Sequence, residues 1–448
     1  MDETNRKASS VWIYAAVPTL IMVFLALYPQ INIWIAKGSA WNGSFVVSNY
    51  DEVAYSAYVN SLIEGRPRTN DPFLGRDDVP TESLYSIQVI PAYTIAYMAK
   101  MLGLSASGAF VLLNLLVPLF ASLAIFALIR AVTKDNLLSA VGLLIVLCLG
   151  AAIAFEGELQ HRILQNYLCD FFPFLRRYQP GFAFPIFFGF LLLVWKMLTE
   201  TVTGKALGIA AAAGAVFAVL VFSYFFLWTA AFAWLGCFAL LWFVLRRDDR
   251  RNVLVRTSIV ALFGIAAFVP YFLLLANRPQ NMDDTQLLSF TRAPNLFEIS
   301  EIVGLLVIAT LLFAAGKGRI ALNSPPIVFT LSLAATPFIL FNQQVVTGRS
   351  LQPVHYEIFI ANYLALLALV LLAWNICVAM FGSEAPARMK RGLIYIGLAA
   401  VIWGFVESTA TTRRNAAYES LRDDAMPALQ YLSDQAKANP PINGRYAT

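Results

Sequence analysis

The sequence predicts an all-α, polytopic membrane protein, and three observations carry that prediction. Of 448 residues, 59% are hydrophobic and only 13% charged, with mean hydropathy +0.66, a composition that no water-soluble globule carries. Apolar runs of about 17 residues or more recur along the chain, each near the ~20 residues that cross a bilayer as a helix. The gaps between them are short, except for one long polar stretch behind the first run. A net charge of +5 is small for this length, so nucleic acid is not an expected partner. Cys148, Cys237 and Cys377 fall inside apolar runs and Cys169 stands in a polar loop, a pattern with neither a disulfide framework nor a cysteine metal cage.

Eleven spans follow in order. The first run, 11–28, comes after Arg6 and Lys7 and has no small-residue cleavage site behind it, so it reads as a retained signal anchor. The others are expected at 108–129, 136–154, 181–198, 206–222, 224–245, 254–276, 299–315, 324–341, 358–381 and 392–407. Residues 206–245 form one apolar block of about 40 residues, too long for a single crossing at ~1.5 Å per residue. A hairpin at Ser223-Tyr224 divides it. The chain is then organised as a catalytic-type membrane module over 1–245 with its outer loop at 29–107, further membrane helices over 246–407, and a short outer tail over 408–448. That tail is partly helical and too short to bury a core of its own.

Orientation follows from the basic residues. With a cytoplasmic N-terminus, half of the 32 lysines and arginines crowd into the short inner loops, among them the cluster Arg246 to Arg256, as the positive-inside rule requires. The arrangement holds only if residues 84–102, with Pro91 and Lys100, lie along the outer interface as an amphipathic segment instead of crossing. Asp51, Glu52, Glu156, Glu158, Glu357, His161 and His355 then share the outer side, which makes it the working face.

The first outer loop carries the strongest signal. From Asp51 to Glu64 it suits a short helix that ends at Gly65, with Val53, Ala57 and Leu62 as an apolar face. Two carboxylates at a helix start are accounted for by the helix dipole alone, and a functional role for Asp51 and Glu52 stands beside that reading. The ordered set is a first span, the Asp51-Glu52 pair at its outer end, Tyr55, an E-G-x-P helix end, an interfacial segment running from Pro91 to L-G-L-S, and a second span. In this the chain resembles the GT-C superfamily of membrane glycosyltransferases, in particular its protein O-mannosyltransferase and aminoarabinose-transferase branch. The topological likeness covers residues 11 to 245, and the sequence-specific part is confined to 45–104.

The resemblance implies transfer of a sugar from a polyprenyl-phosphate or polyprenyl-diphosphate donor to a glycan, lipid or protein acceptor on the outer face of a bilayer, in a bacterial inner membrane. It gives Asp51 the base role and Glu52 a supporting one, because a poor nucleophile needs a carboxylate to take or orient its proton. Oligosaccharyltransferases of the same superfamily carry a D-x-E-like pair behind the third span. Glu156 and Glu158 in F-E-G-E-L-Q-H-R resemble it, with His161 close by. Carboxylates there suit Mg or Mn, and a histidine widens the range to Zn. Water-facing acids at a loop start are the alternative.

Arg176, Arg177 and Arg349 are candidates for the donor phosphate, since a guanidinium fits phosphate bidentately. Interfacial snorkelling is the plainer account of each. The segment 342–357 is polar between two apolar runs. Its Gln344 and His355, with Tyr55 from the first loop, suggest a sugar-recognising rim, since amides are costly near lipid unless they line a cavity or bond one another. The aromatics from Phe171 to Phe184 are expected as an interface belt. Two other function classes fit the composition: a transporter or flippase for a lipid-linked substrate, and a catalytically silent lipid-binding scaffold. Against the transporter, the spans hold almost no ionisable groups and the two halves show no repeat.

Overall fold

The computed structural model describes residues 3–165, 172–382 and 386–438. Cys169, Asp170 and Phe171 lie outside the described residues. Among those described, eleven helices are long and apolar enough to cross a membrane. They run Glu3–Lys37, Ala106–Thr133, Asn136–Ile153, Ala183–Thr199, Thr203–Val221, Phe225–Leu245, Arg250–Ala276, Ile299–Gly316, Pro325–Thr347, Asn362–Phe381 and Ala387–Ala438. Each expected span is present, and the chain turns between Val221 and Phe225 as the apolar block requires.

The third span is central: it packs on the first, second, tenth and eleventh. The fourth span joins the second to the fifth, the fifth packs on the seventh, and the ninth gathers the sixth, eighth and tenth. Where apolar side chains gain nothing by leaving lipid for protein, close backbone approach is what holds helices together. Gly150 lies flat against the Tyr363 ring and Gly304 against the Ala334 carbonyl, and a Cβ at either would collide.

Three differences from the sequence expectation bear on function. The ninth span continues past residue 341 to Thr347 and is closed by left-handed Gly348, so the polar segment shrinks to a short turn at 348–352. The last span does not end in a separate tail but continues as one helix to Ala438. The aromatics Phe172, Phe174, Tyr178 and Phe184 are not an interface belt; all four are fully buried, Phe174 packing against Phe172, Phe184 and Tyr363, and Tyr178 stacking on Tyr55.

The first outer loop folds over the bundle. Its Asp51–Ile63 helix is followed by Gly65 at φ +88°, and a serine-capped turn at Leu84–Ile87 leads into the helix Val89–Leu102. Fourteen residues rise only about 21 Å, too short to cross a bilayer. That helix buries Ala92, Ile95, Ala96 and Ala99 and exposes Tyr97, Lys100 and Met101, as an interfacial segment should.

Candidate functional site

The site is built on an irregular stretch, 42–47, whose backbone finds its partners in side chains. Asp423 on the extension of the last helix accepts from Asn42 N at 3.0 Å and Ser44 N at 3.2 Å, and Glu419 accepts from Val47 N at 3.3 Å. Arg422 donates to Phe45 O at 3.0 Å, and Gln30 of the first span both accepts from Val46 N and donates to Ser44 O. Buried backbone polar groups need such partners, and here the strand-like stretch gets them without a sheet. It delivers the chain to Asp51 in a fixed place.

Asp51 and Glu52, although adjacent, have opposite surroundings. Glu52 is fully buried and accepts from Ser48 N at 2.8 Å, Arg177 N at 2.7 Å, Arg177 Nε at 2.8 Å and Arg177 Nη2. A carboxylate offers about four acceptor sites, so none is left for a substrate. Arg177 also donates to Val46 O at 2.6 Å and Phe110 O at 3.4 Å, and its guanidinium lies over the Phe45 and Phe110 rings. The expectation that Arg177 meets a phosphate is therefore corrected: every face of its guanidinium is occupied inside the protein. Glu52 likewise has its acceptor sites filled by Ser48 and Arg177.

The Asp51 carboxylate is 58% exposed and accepts from Arg176 Nη1 at 2.7 Å. Arg176 itself is buried, with its guanidinium 4.6 Å above the Phe359 ring centroid and 5.6 Å from that of Tyr55. Its Nε donates to Gln179 O and its Nη2 to Tyr224 OH at 3.4 Å. A buried cation thus stands directly behind an exposed anion. Burial pushes the Tyr55 and Tyr224 phenols well up, and the nearby Arg176 only partly opposes it, so both remain protonated donors.

His355 joins this cluster through rings. It packs edge-on against Phe226 at 4.8 Å and tilted against Phe359 at 5.2 Å, and its Nδ1 has no hydrogen-bond partner among the described residues. Arg349 is exposed on a two-stranded pair with Leu288–Phe290, its guanidinium near the Phe290 ring. Gln344 is buried on the ninth span and donates to Ala293 O and Phe341 O. Asn342 bonds Asn295 O and Glu301. The expected sugar rim is thus corrected at Asn342 and Gln344, which brace the fold internally because each meets a nearby carbonyl or carboxylate.

The implied metal site fares similarly. Glu158 is buried and accepts from Arg162 Nε at 2.8 Å and Arg414 Nη1 at 2.6 Å. A cation would have to displace two guanidinium groups. Glu156 stands at the N-cap position of the short helix Gly157–Leu164 without a side-chain capping bond, and His161 lies in its last turn. Among the described residues no group of three histidine, cysteine or acidic side chains is arranged to hold a metal ion. The donor set of Glu156, Glu158 and His161 does not fit a dedicated Mg or Mn cage.

An apolar groove of about 640 Å³ opens between the Val89–Leu102 helix, the second span and the start of the fourth, lined by Ile95, Met98, Leu116, Phe120, Phe182 and Ile186. Gly181 also lines it and donates its N–H to the backbone carbonyl of Arg176 at 2.8 Å. Sequence reasoning missed the place of this groove, the contact of Tyr224 with Arg176, Phe359 and the acids of the last helix. The only signal for the last was an acidic, helix-forming composition after the final apolar run.

No family model and no curated protein sequence matches the chain. Two crystal structures of the oligosaccharyltransferase from Archaeoglobus fulgidus are similar to it in fold. The apo form matches over 90% of this chain with TM-score 0.51 and 14% identity, and a form tethered to an acceptor peptide containing the NVT sequon matches over 92% with TM-score 0.52 and 14% identity. The chain spans 56% of the length of each. The all-α fold of eleven spans expected from the sequence is the fold observed, and it is shared with these oligosaccharyltransferase structures.

Proposed function

We propose that the protein is a glycosyltransferase that moves a sugar from a polyprenyl-phosphate or polyprenyl-diphosphate donor to an acceptor on the outer face of a membrane, with its N-terminus in the cytoplasm. The observation that carries this reading is the Asp51–Arg176 pair, an exposed carboxylate held at 2.7 Å by a buried guanidinium, in a chain that also carries an apolar groove. A lipid-linked sugar has those three needs: a dry channel for the chain, a cation for the phosphate and a carboxylate for the incoming nucleophile.

In the proposed step the acceptor oxygen or nitrogen attacks the anomeric carbon and the carbon–oxygen bond to phosphate breaks. The acceptor proton passes to Asp51, and the polyprenyl phosphate leaves with its new charge facing Arg176. Tyr224 and Phe359 hold the guanidinium in place. An acceptor peptide is tethered in one of the similar structures, so a protein acceptor is the first to try, with glycans and lipids beside it. The test is transfer of labelled sugar in proteoliposomes from a set of polyprenyl-linked donors to envelope extracts. Transfer that Asp51→Asn abolishes is the expected result, and transfer that the variant leaves intact rejects the reading.

A further inference from the structure

The linker between the seventh and eighth spans, 277–298, turns apolar side chains outward just before the chain enters the membrane. Leu296 is 50% exposed and Phe297 81% exposed. Phe297 also holds φ +76°, in the left-handed region that a bulky side chain occupies only at a cost, so its ring is kept outward against a backbone preference. Single apolar residues on a surface are ordinary. Two in succession, one of them strained, call for a partner.

Their depth is fixed from both sides. Asn295 N donates to Asn342 Oδ1 at 3.1 Å, and Asn295 O accepts from Asn342 Nδ2 at 3.0 Å. Asn342 is the first residue past the apolar run 324–341, about 1.5 Å of helix beyond it. Phe297 stands just before the run 299–315, at most about 7 Å away even with the chain fully extended. The polar region of a bilayer takes up about 5–7 Å on each side of its hydrocarbon, so both residues lie at that boundary. Arg292 meets a need that this level creates: its Nη1 donates to Val345 O at 2.9 Å and Val346 O at 3.0 Å, closing last-turn carbonyls of the ninth span that lipid could not satisfy.

We propose that Leu296 and Phe297 anchor this linker in the leaflet on the Asp51 side of the membrane, with the bilayer itself as the partner. The surface is continuous with a lipid-facing one, because the eighth span begins at Ile299 and exposes Ile302, Leu305 and Leu306. The anchor steadies the strand Leu288–Phe290, and with it the paired strand Arg349–Leu351 that leads to His355. Phe290 supplies a contrast. It is 75% exposed as well, but the adjacent Thr291 N bonds Gly348 O at 3.2 Å, about 10 Å past the run 324–341, which places that strand beyond the headgroups. The assignment stands independently of the transferase reading.

The test places the photoreactive residue p-benzoylphenylalanine in place of Phe297 or of Phe290 in the full-length protein, reconstituted in phosphatidylcholine vesicles, and identifies the adducts by mass spectrometry after irradiation. Several-fold more lipid adduct at 297 than at 290 is expected, since the group reacts with the C–H bonds beside it. Equal lipid adduct at the two positions overturns the proposal. So does cross-linking of 297 chiefly to a second copy of the chain, which would make this face a protein interface.

Discussion

Arg177 reaches across 125 residues of sequence to close on Glu52 with its backbone N at 2.7 Å, its Nε at 2.8 Å and its Nη2, and both side chains are fully buried. A pair so placed makes the first outer loop and the start of the fourth span one unit. It also leaves the neighbouring Arg176 and Asp51 in a fixed relation at the surface.

Breaking that buried pair should therefore be severe. Glu52→Gln or Arg177→Met leaves one uncompensated buried charge, at a cost of about 3–5 kcal/mol. The double variant Glu52→Leu/Arg177→Met should lose less than the sum of the two. Thermal unfolding in detergent measures both, and additive losses would contradict a direct pair.

Asp51→Asn should separate chemistry from folding. Its side chain is mostly exposed, so the melting temperature should stay within a degree or two of the parent, while turnover falls about 10²–10⁴-fold through loss of the positioned base. Melting curves and initial rates on the same preparation check it.

Arg176→Lys tests the cation's geometry. A lysine keeps the charge but cannot span Asp51, Tyr224 OH and Gln179 O together, which the planar guanidinium does. The expected outcome is a raised KM for the lipid donor with a smaller change in kcat. An unchanged donor KM would remove Arg176 from phosphate recognition.

The Arg68–Glu82 pair predicts acid sensitivity of the outer loop. Burial pushes the Glu82 carboxyl up, but two bonds from the Arg68 guanidinium and one from Ser86 Oγ outweigh it, so its pKa falls below the ordinary 4.5. A carboxyl lowered on folding contributes stability that is complete above its unfolded value and is lost as pH falls through the folded one. Loop stability, followed by hydrogen exchange over 66–88, should drop as pH falls below 4.5 and continue to drop until the lowered folded pKa is passed. Glu82→Gln should flatten that dependence.

Asp423→Ala should loosen the site from a distance. It frees the N–H groups of Asn42 and Ser44, so exchange should rise across 42–47 while the membrane helices stay protected. Protection of 42–47 equal to that of the parent would mean that the extension of the last helix does not hold this stretch.

The sequence by itself determined the eleven spans, the division near Ser223-Tyr224 and the outer helix from Asp51 to Gly65, because each rests on local composition or on a residue with a special backbone preference. It could not decide which of two adjacent carboxylates turns inward. Successive residues on a helix point about 100° apart. The expected apolar face included Val53, yet Val53 is 43% exposed, and the helix buries Glu52 with Tyr55, Tyr58 and Val59 instead. That rotation is set by Arg177, far along the chain. The amides of Asn342 and Gln344 read as a polar loop for the same reason: partners of theirs, Ala293 O, Asn295 O and Glu301, sit on another segment. Hydropathy records what a residue costs in lipid, and only the tertiary structure supplies the distant group that cancels the cost.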